Sequence, residues 1–161
     1  MQYRFMDSPL GQLLIVGDER GLHLVGFPNG RSAVPDADWE HAEDICEEAV
    51  TQLAEYFAGG RQSFSLMLCP TGTEFQMAVL QALQQIPYGA TCSYGDIARA
   101  IDRPKAVRAV GAANGRNPLP IIIPCHRVIG SNGSLTGFGG GLPAKQWLLA
   151  HEGRQSGLAG F

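Results

Sequence analysis

The chain has 161 residues, 45% hydrophobic and 17% charged, enough for one domain or two small ones with a sound core. No run approaches the roughly 18 apolar residues of a membrane span, and Met1 to Pro9 lacks the charged and apolar regions of a targeting signal, so a cytoplasmic protein without membrane association is expected. The net charge of -3 divides unevenly, residues 1 to 80 carrying -8 and residues 81 to 161 carrying +5, so a negatively charged partner is expected for the second half alone.

In chain order, residues 2 to 6, 10 to 16 and 22 to 27 read as three strands of an antiparallel sheet, with Asp18-Glu19-Arg20-Gly21 as turn chemistry. A polar loop from Pro28 to Asp38 precedes Ala42, Ile45, Cys46, Ala49, Val50, Leu53, Tyr56 and Phe57, which recur at helical spacing up to Gly59-Gly60. Phe64, Leu66 and Leu68 alternate as a short strand. Cys69-Pro70-Thr71-Gly72 then reads as a linker, which divides the chain into domains 1-70 and 71-161.

Thr73 with Gln76 forms a capping-box pattern for a helix through Gln85, with Phe75, Val79, Leu80 and Leu83 inward. Ser93 with Asp96 opens a second, shorter helix. Pro104 suits the first turn of a third, reaching about Asn114. The last two helices, joined by a tight turn, suggest helix-turn-helix. Ala106, Ala109, Gly111, Ala112 and Ala113 give the third helix little bulk, which lets it approach another surface closely, and Arg108 stands among them.

Three isoleucines between Pro120 and Pro124 predict a short, extended, buried segment ending at Cys125. His126 and Arg127 follow at once, an imidazole to take a thiol proton and a guanidinium to favour a thiolate. A buried cysteine that only fills space is the competing reading, and neighbouring side chains on a turn point apart, so His126 would reach Cys125 through a water. Gly130 to Gly141 reads as a glycine-rich loop, and Pro143 begins a last helix that Glu152-Gly153 ends, followed by a loose tail beyond Arg154. Cys46, Cys69, Cys92 and Cys125 have no metal-type spacing, so free thiols, no metal and no cofactor are expected.

Pro124-Cys125-His126-Arg127-Val128, preceded by Asn117-Pro118 and Arg108-Ala109-Val110-Gly111, resembles the O6-alkylguanine-DNA alkyltransferase family. The likeness extends through Gly72-Thr73-Glu74-Phe75-Gln76, Ile86-Pro87-Tyr88-Gly89, Ser93-Tyr94-Gly95, Gly137-Phe138-Gly139-Gly140 and Trp147 to Gly153, and so covers most of residues 73 to 153. It implies an α+β fold, with a ribonuclease H-like N-terminal part before a mostly helical, winged-helix-like DNA-binding domain.

The resemblance further implies irreversible, single-turnover transfer of an alkyl group to Cys125 from O6 of guanine, and from O4 of thymine. The partner is duplex DNA holding such a base, bound through the minor groove by a monomer that flips the base. By matching positions, Glu152 orients His126, which removes the thiol proton through water, and Asn117 ties the cysteine turn to neighbouring backbone. Tyr94 meets the flipped base, the carbonyls of Cys125 and Val128 accept its amino group, and Arg108 intercalates. Ala109, Gly111, Ala112, Arg116 and Arg127 complete the expected DNA contacts.

Gly139 stands where some members present a serine hydroxyl to O6, so a backbone N–H would serve there. No cysteine precedes Cys46, so the zinc of some members is not expected. Two other readings compete with transfer: a sensor that holds O6-alkylguanine DNA without reaction, whose known examples lack the acceptor cysteine, and a cysteine hydrolase, for which no helix-borne Cys with a distant His is evident.

Overall fold

In the computed structural model the chain forms two compact units, Met1–Thr71 and Gly72–Phe161. Residues 31, 134–137, 139 and 157–161 lie outside the described residues, and with them the expectations for Gly139 and for the tail.

The first unit is built on a sheet of order β3-β2-β1-β4. Strands β1 (Gln2–Met6), β2 (Leu13–Asp18) and β3 (Gly21–Gly26) pair antiparallel, while β4 (Glu40–His41), absent from the sequence expectation, pairs parallel with β1. The sheet is therefore mixed. Leu13, Leu14, Ile15 and Val16 of the central strand are all buried, so β2 is covered on both faces and reads as a continuous apolar run. It starts later than residue 10, because Gly11 takes a φ of +100° and closes a turn onto the Ser8 carbonyl.

Helix α1 (Glu47–Phe57) buries Ala49, Leu53 and Tyr56. Its apolar periodicity runs back to Ala42, but Cys46 sits in the left-handed region at φ 51° and the helix begins only after it. The expected strand at 64 to 68 is reduced to one parallel bridge between Leu22 and Leu68. Cys69 N–H donates to the Leu22 carbonyl at 2.8 Å, and Pro70, which has no N–H to donate, comes next.

The second unit packs α2 (Glu74–Leu83), α3 (Tyr94–Ala100) and α4 (Val107–Gly115) against one another, with α3 and α4 forming the helix-turn-helix. The expected capping box of Thr73 with Gln76 is present, and the start signal of Ser93 with Asp96 is a second one. Helix α4 starts three residues later than Pro104. Asp102, at φ 60°, and the bond from Ala106 N–H to the Arg103 carbonyl keep residues 103 to 106 in turns.

The segment before Cys125 is buried as expected but not extended. Leu119 N–H donates to Asn117 Oδ1 at 2.9 Å, and Asn117 Nδ2 donates to the Ile123 carbonyl at 2.8 Å. One side-chain amide thus folds the stretch back on itself, and Ile121 is held at φ 75°. For a β-branched residue this conformation costs about 1–2 kcal/mol. A 3₁₀ turn, Cys125–Arg127, leads into β6 (Val128–Ile129), which pairs parallel with β5 (Cys92–Ser93). The last helix, α5 (Leu142–Ser156), does not stop at Gly153.

Because the Thr73 hydroxyl satisfies the Gln76 N–H at the start of α2, Thr73→Ala should lower stability by about 1 kcal/mol in urea unfolding.

Candidate active site

Cys125 opens the 3₁₀ turn and is 4% exposed. Burial pushes its thiol up to about 11, against the opposing pull of a hydrogen bond from Asn117, the Lys145 charge and the backbone N–H groups of Cys125 and His126. At neutral pH the resting sulfur is therefore a protonated thiol. Reaction requires a base.

His126 is the group placed to serve. It is fully buried, and its Nε2 lies 2.7 Å from Glu152 Oε2. Burial lowers its pKa below 6.5 and outweighs the raising effect of Glu152, with Arg127 and Lys145 adding to the lowering. A neutral imidazole facing a carboxylate must carry its hydrogen on Nε2, which leaves a lone pair on Nδ1. Among the described residues Nδ1 has no hydrogen-bond partner. It is a buried acceptor on the same turn as Cys125, with no hydrogen bond to the sulfur.

Glu152 projects inward from α5 and is 1% exposed. Burial alone would raise its pKa, but the bonds from His126 and Arg127 outweigh it and hold the carboxyl below the ordinary range. Arg127 donates from Nε to Oε1 at 2.8 Å and from Nη2 to Oε2 at 3.0 Å, while its Nη1 donates to the Ile86 carbonyl at 2.7 Å. The guanidinium also lies over the Tyr88 ring, 5.6 Å from its centroid. Arg127 was expected among the DNA contacts. It is instead buried, because the Glu152 charge inside this unit needs a cation.

Lys145 is a site residue that sequence reasoning missed. It is fully buried on α5, donates from Nζ to the Val128 carbonyl at 2.6 Å, and lies 5.9 Å from the centre of the Tyr94 ring. The available signal was position: a lysine three residues into a helix whose later turns carry Trp147 and Leu148 on an inward face. Tyr94 is half-buried at the start of α3, and β5 pairing with β6 holds it near Val128. A Cβ at Gly111 would lie 3.9 Å from the Tyr94 ring, so α4 runs close over that tyrosine. On α4, Arg108, Ala109 and Ala112 are exposed, as is Arg116 just beyond it. Arg108 has no buried role within the unit, and its guanidinium is available to a partner.

No group of three or more His, Cys, Asp and Glu suited to a metal ion occurs among the described residues, and no helix among them is long and apolar enough to cross a membrane.

Residues 74–154 match the family model for the 6-O-methylguanine DNA methyltransferase DNA-binding domain, and residues 1–70 match the model for its ribonuclease-like domain. The chain belongs to this family. It is 53% identical over 155 residues to the methylated-DNA--protein-cysteine methyltransferase of Methanosarcina acetivorans, covering 95% of this chain and 99% of that one. It is 47% identical to the constitutive enzyme of Bacillus subtilis, covering 86% of each chain. The crystal structure of Mycobacterium tuberculosis OGT in complex with DNA is similar throughout, with a TM-score of 0.92 and 44% identity over 96% of this chain and 94% of that one.

The His126 and Glu152 environments make stability fall with acid. The folded His126 resists protonation below 6.5 and the folded Glu152 resists it below 4.5, whereas the unfolded chain takes up both protons near those values. The thermal midpoint should fall as pH drops from 7 towards 4. Glu152→Gln, which leaves Arg127 as an unpaired buried charge, should cost about 3 kcal/mol or more at pH 7 and flatten the acid decline.

Proposed function

We propose that the protein repairs alkylated DNA by accepting the alkyl group from O6 of guanine, and from O4 of thymine, on Cys125. The observation that carries this reading is a buried cysteine on the same turn as a buried imidazole that is bonded through Nε2 to Glu152 and whose Nδ1 has no hydrogen-bond partner among the described residues. The thiol proton passes through a water to His126 Nδ1, and Glu152 holds the imidazolium that results. The thiolate attacks the alkyl carbon in line with the C–O6 bond. The sulfur–carbon bond forms as the carbon–oxygen bond breaks, and the electron pair leaves on the guanine, which takes up a proton to become the ordinary base.

Lys145 assists by charge, since its ammonium favours the thiolate. Asn117 fixes the turn and donates to the sulfur. The thioether has no route to hydrolysis, so each molecule acts once. Stoichiometry follows from carbon–sulfur chemistry.

Residues 71–161 do the DNA work in this reading, on duplex DNA bound by a monomer in the cytoplasm. The helix α4 face of Ala109, Gly111 and Ala112 enters the minor groove, small enough to approach the sugar edges, with Arg116 on phosphate. Arg108 fills the gap left by the extruded base and Tyr94 stacks on that base. The DNA complex of the Mycobacterium tuberculosis relative supports duplex DNA as the partner.

Intact mass after incubation with a duplex holding one O6-methylguanine should rise by one methylene per chain, mapped to the Cys125 peptide and absent in Cys125→Ser. No gain would end the transfer reading. Arg108→Ala should slow repair of that duplex by roughly tenfold or more while sparing reaction with free O6-benzylguanine, because only the duplex needs a base expelled at a cost of a few kcal/mol. Equal losses on both substrates, in single-turnover rates, would remove Arg108 from that role.

A further inference from the structure

His126 and Arg127 are neighbours on one 3₁₀ turn, yet both side chains end on the same carboxylate. Oε2 of Glu152 is the shared atom: the imidazole Nε2 lies 2.7 Å from it, and Arg127 Nη2 donates to it at 3.0 Å. Arg127 Nε takes the other oxygen at 2.8 Å. The guanidinium is fixed in this grip, because its Nη1 donates to the Ile86 carbonyl at 2.7 Å and its face lies over the Tyr88 ring. His126, Arg127 and Glu152 are all buried, so solvent screens their charges little.

Keeping Glu152 ionised needs a cation, but it does not need this geometry. A single contact on Oε1 would match the charge and leave Oε2 to the imidazole. A second donor on Oε2 weakens what that oxygen can offer an imidazolium. The fixed positive charge also opposes protonation of the ring directly, and like charges at such range move a titration midpoint by roughly one unit or more. Other charged and titratable groups surround His126: Lys145 on α5 opposes its protonation, Glu152 on α5 favours it, and the Cys125 thiol on its own turn is protonated at rest. The Tyr88 phenol, after α2, lies near Glu152 and Arg127, and His151 on α5 stacks on Trp147. Of these, Arg127 bonds to the very oxygen that holds the imidazole.

We propose that Arg127 sets how readily His126 takes up a proton, by sharing the Glu152 oxygen on which the imidazolium depends. The inference rests on the alkyltransferase reading for its consequence and deepens it. Arg127 touches neither the sulfur nor the base, so it is a positioning residue that acts through Glu152 and His126. With the oxygen shared, the imidazole is free of its second proton at neutral pH and can accept one from Cys125. With the oxygen unshared, Glu152 would hold that proton on the ring at rest, and the base would be blocked before substrate arrives.

The test titrates His126 and follows the reaction over the same pH range. Histidine ring nitrogens are followed by NMR in isotope-labelled native protein and in Arg127→Gln, whose amide can still donate to Glu152 but carries no charge; His126→Asn identifies the His126 signals by their loss. Single-turnover reaction with free O6-benzylguanine, read by intact mass, needs no DNA contact. The His126 midpoint should rise by roughly one pH unit or more in Arg127→Gln. Its rate should fall about tenfold from pH 8 to pH 6, where the native rate falls less than about threefold. A purely structural role for Arg127 would lower the rate equally at every pH and leave the midpoint in place, which would overturn the inference.

Should Arg127→Gln fail to fold, Arg127→Lys retains the buried cation. An ammonium cannot hold both carboxylate oxygens as the guanidinium fork does, so Oε2 is left to His126 and a smaller rise of about half a unit is expected. A midpoint equal to the native one would overturn the inference. If the native protein gains no benzyl group at any pH, the alkyltransferase reading fails, while the titration still decides the role of Arg127.

Discussion

The second unit depends on one carboxylate. Glu152 is buried, and it stays ionised because Arg127 grips it through two nitrogens while His126 donates to one of the same oxygens. Removing any of the three leaves an uncompensated polar group in the interior, a far larger loss than a surface ion pair would represent. The arrangement spans sequence separations of 25 and 26 residues, so it joins the cysteine turn to α5. Tyr88 and the Ile86 carbonyl complete the enclosure of the guanidinium.

This carboxylate also sets the chemistry of its neighbours. Much of its charge is already matched by Arg127, and the Arg127 and Lys145 charges join burial in keeping His126 neutral at rest. A neutral imidazole is a usable base, whereas an imidazolium is not. The thiol is likewise held in its unreactive form by burial. A site of this kind suits a protein that reacts once: a permanently exposed thiolate would be lost to oxidation or to adventitious alkylating agents, and a buried thiol is protected from both.

Asn117 and Asn114 share the task of shaping the turn. The first folds residues 119 to 123 back through two bonds and imposes the left-handed conformation on Ile121, and the second holds the Cys125 carbonyl from α4. Strain at Ile121 persists because the surrounding side chains, Leu119, Ile122 and Ile123, are buried and the segment has no other way to place both its apolar groups and the cysteine. The helix that approaches DNA in the proposed function is thereby bonded to the residue that reacts.

Much of this was legible in the sequence. Capping boxes at Thr73 and Ser93 are local signals that depend on four consecutive residues, and the structure contains both. The Pro-Cys-His-Arg run marked the cysteine and the imidazole on which the proposed function rests, and the order of several separated motifs marked the family. Local signals failed where a distant partner decided: Pro120 to Pro124 looked extended until the Asn117 amide turned it, and Ala42 to Cys46 kept helical spacing while Cys46 adopted the left-handed region. Arg127 is the sharpest case. A guanidinium beside a reactive cysteine in a basic half-chain reads equally well as a phosphate contact or as a buried partner, and only the fold brings Glu152 to it from another helix. The sequence by itself determined which chemical groups are present and where the two helices with capping boxes, α2 and α3, begin; the tertiary structure decided which charges are buried together, because burial energies depend on neighbours far apart along the chain.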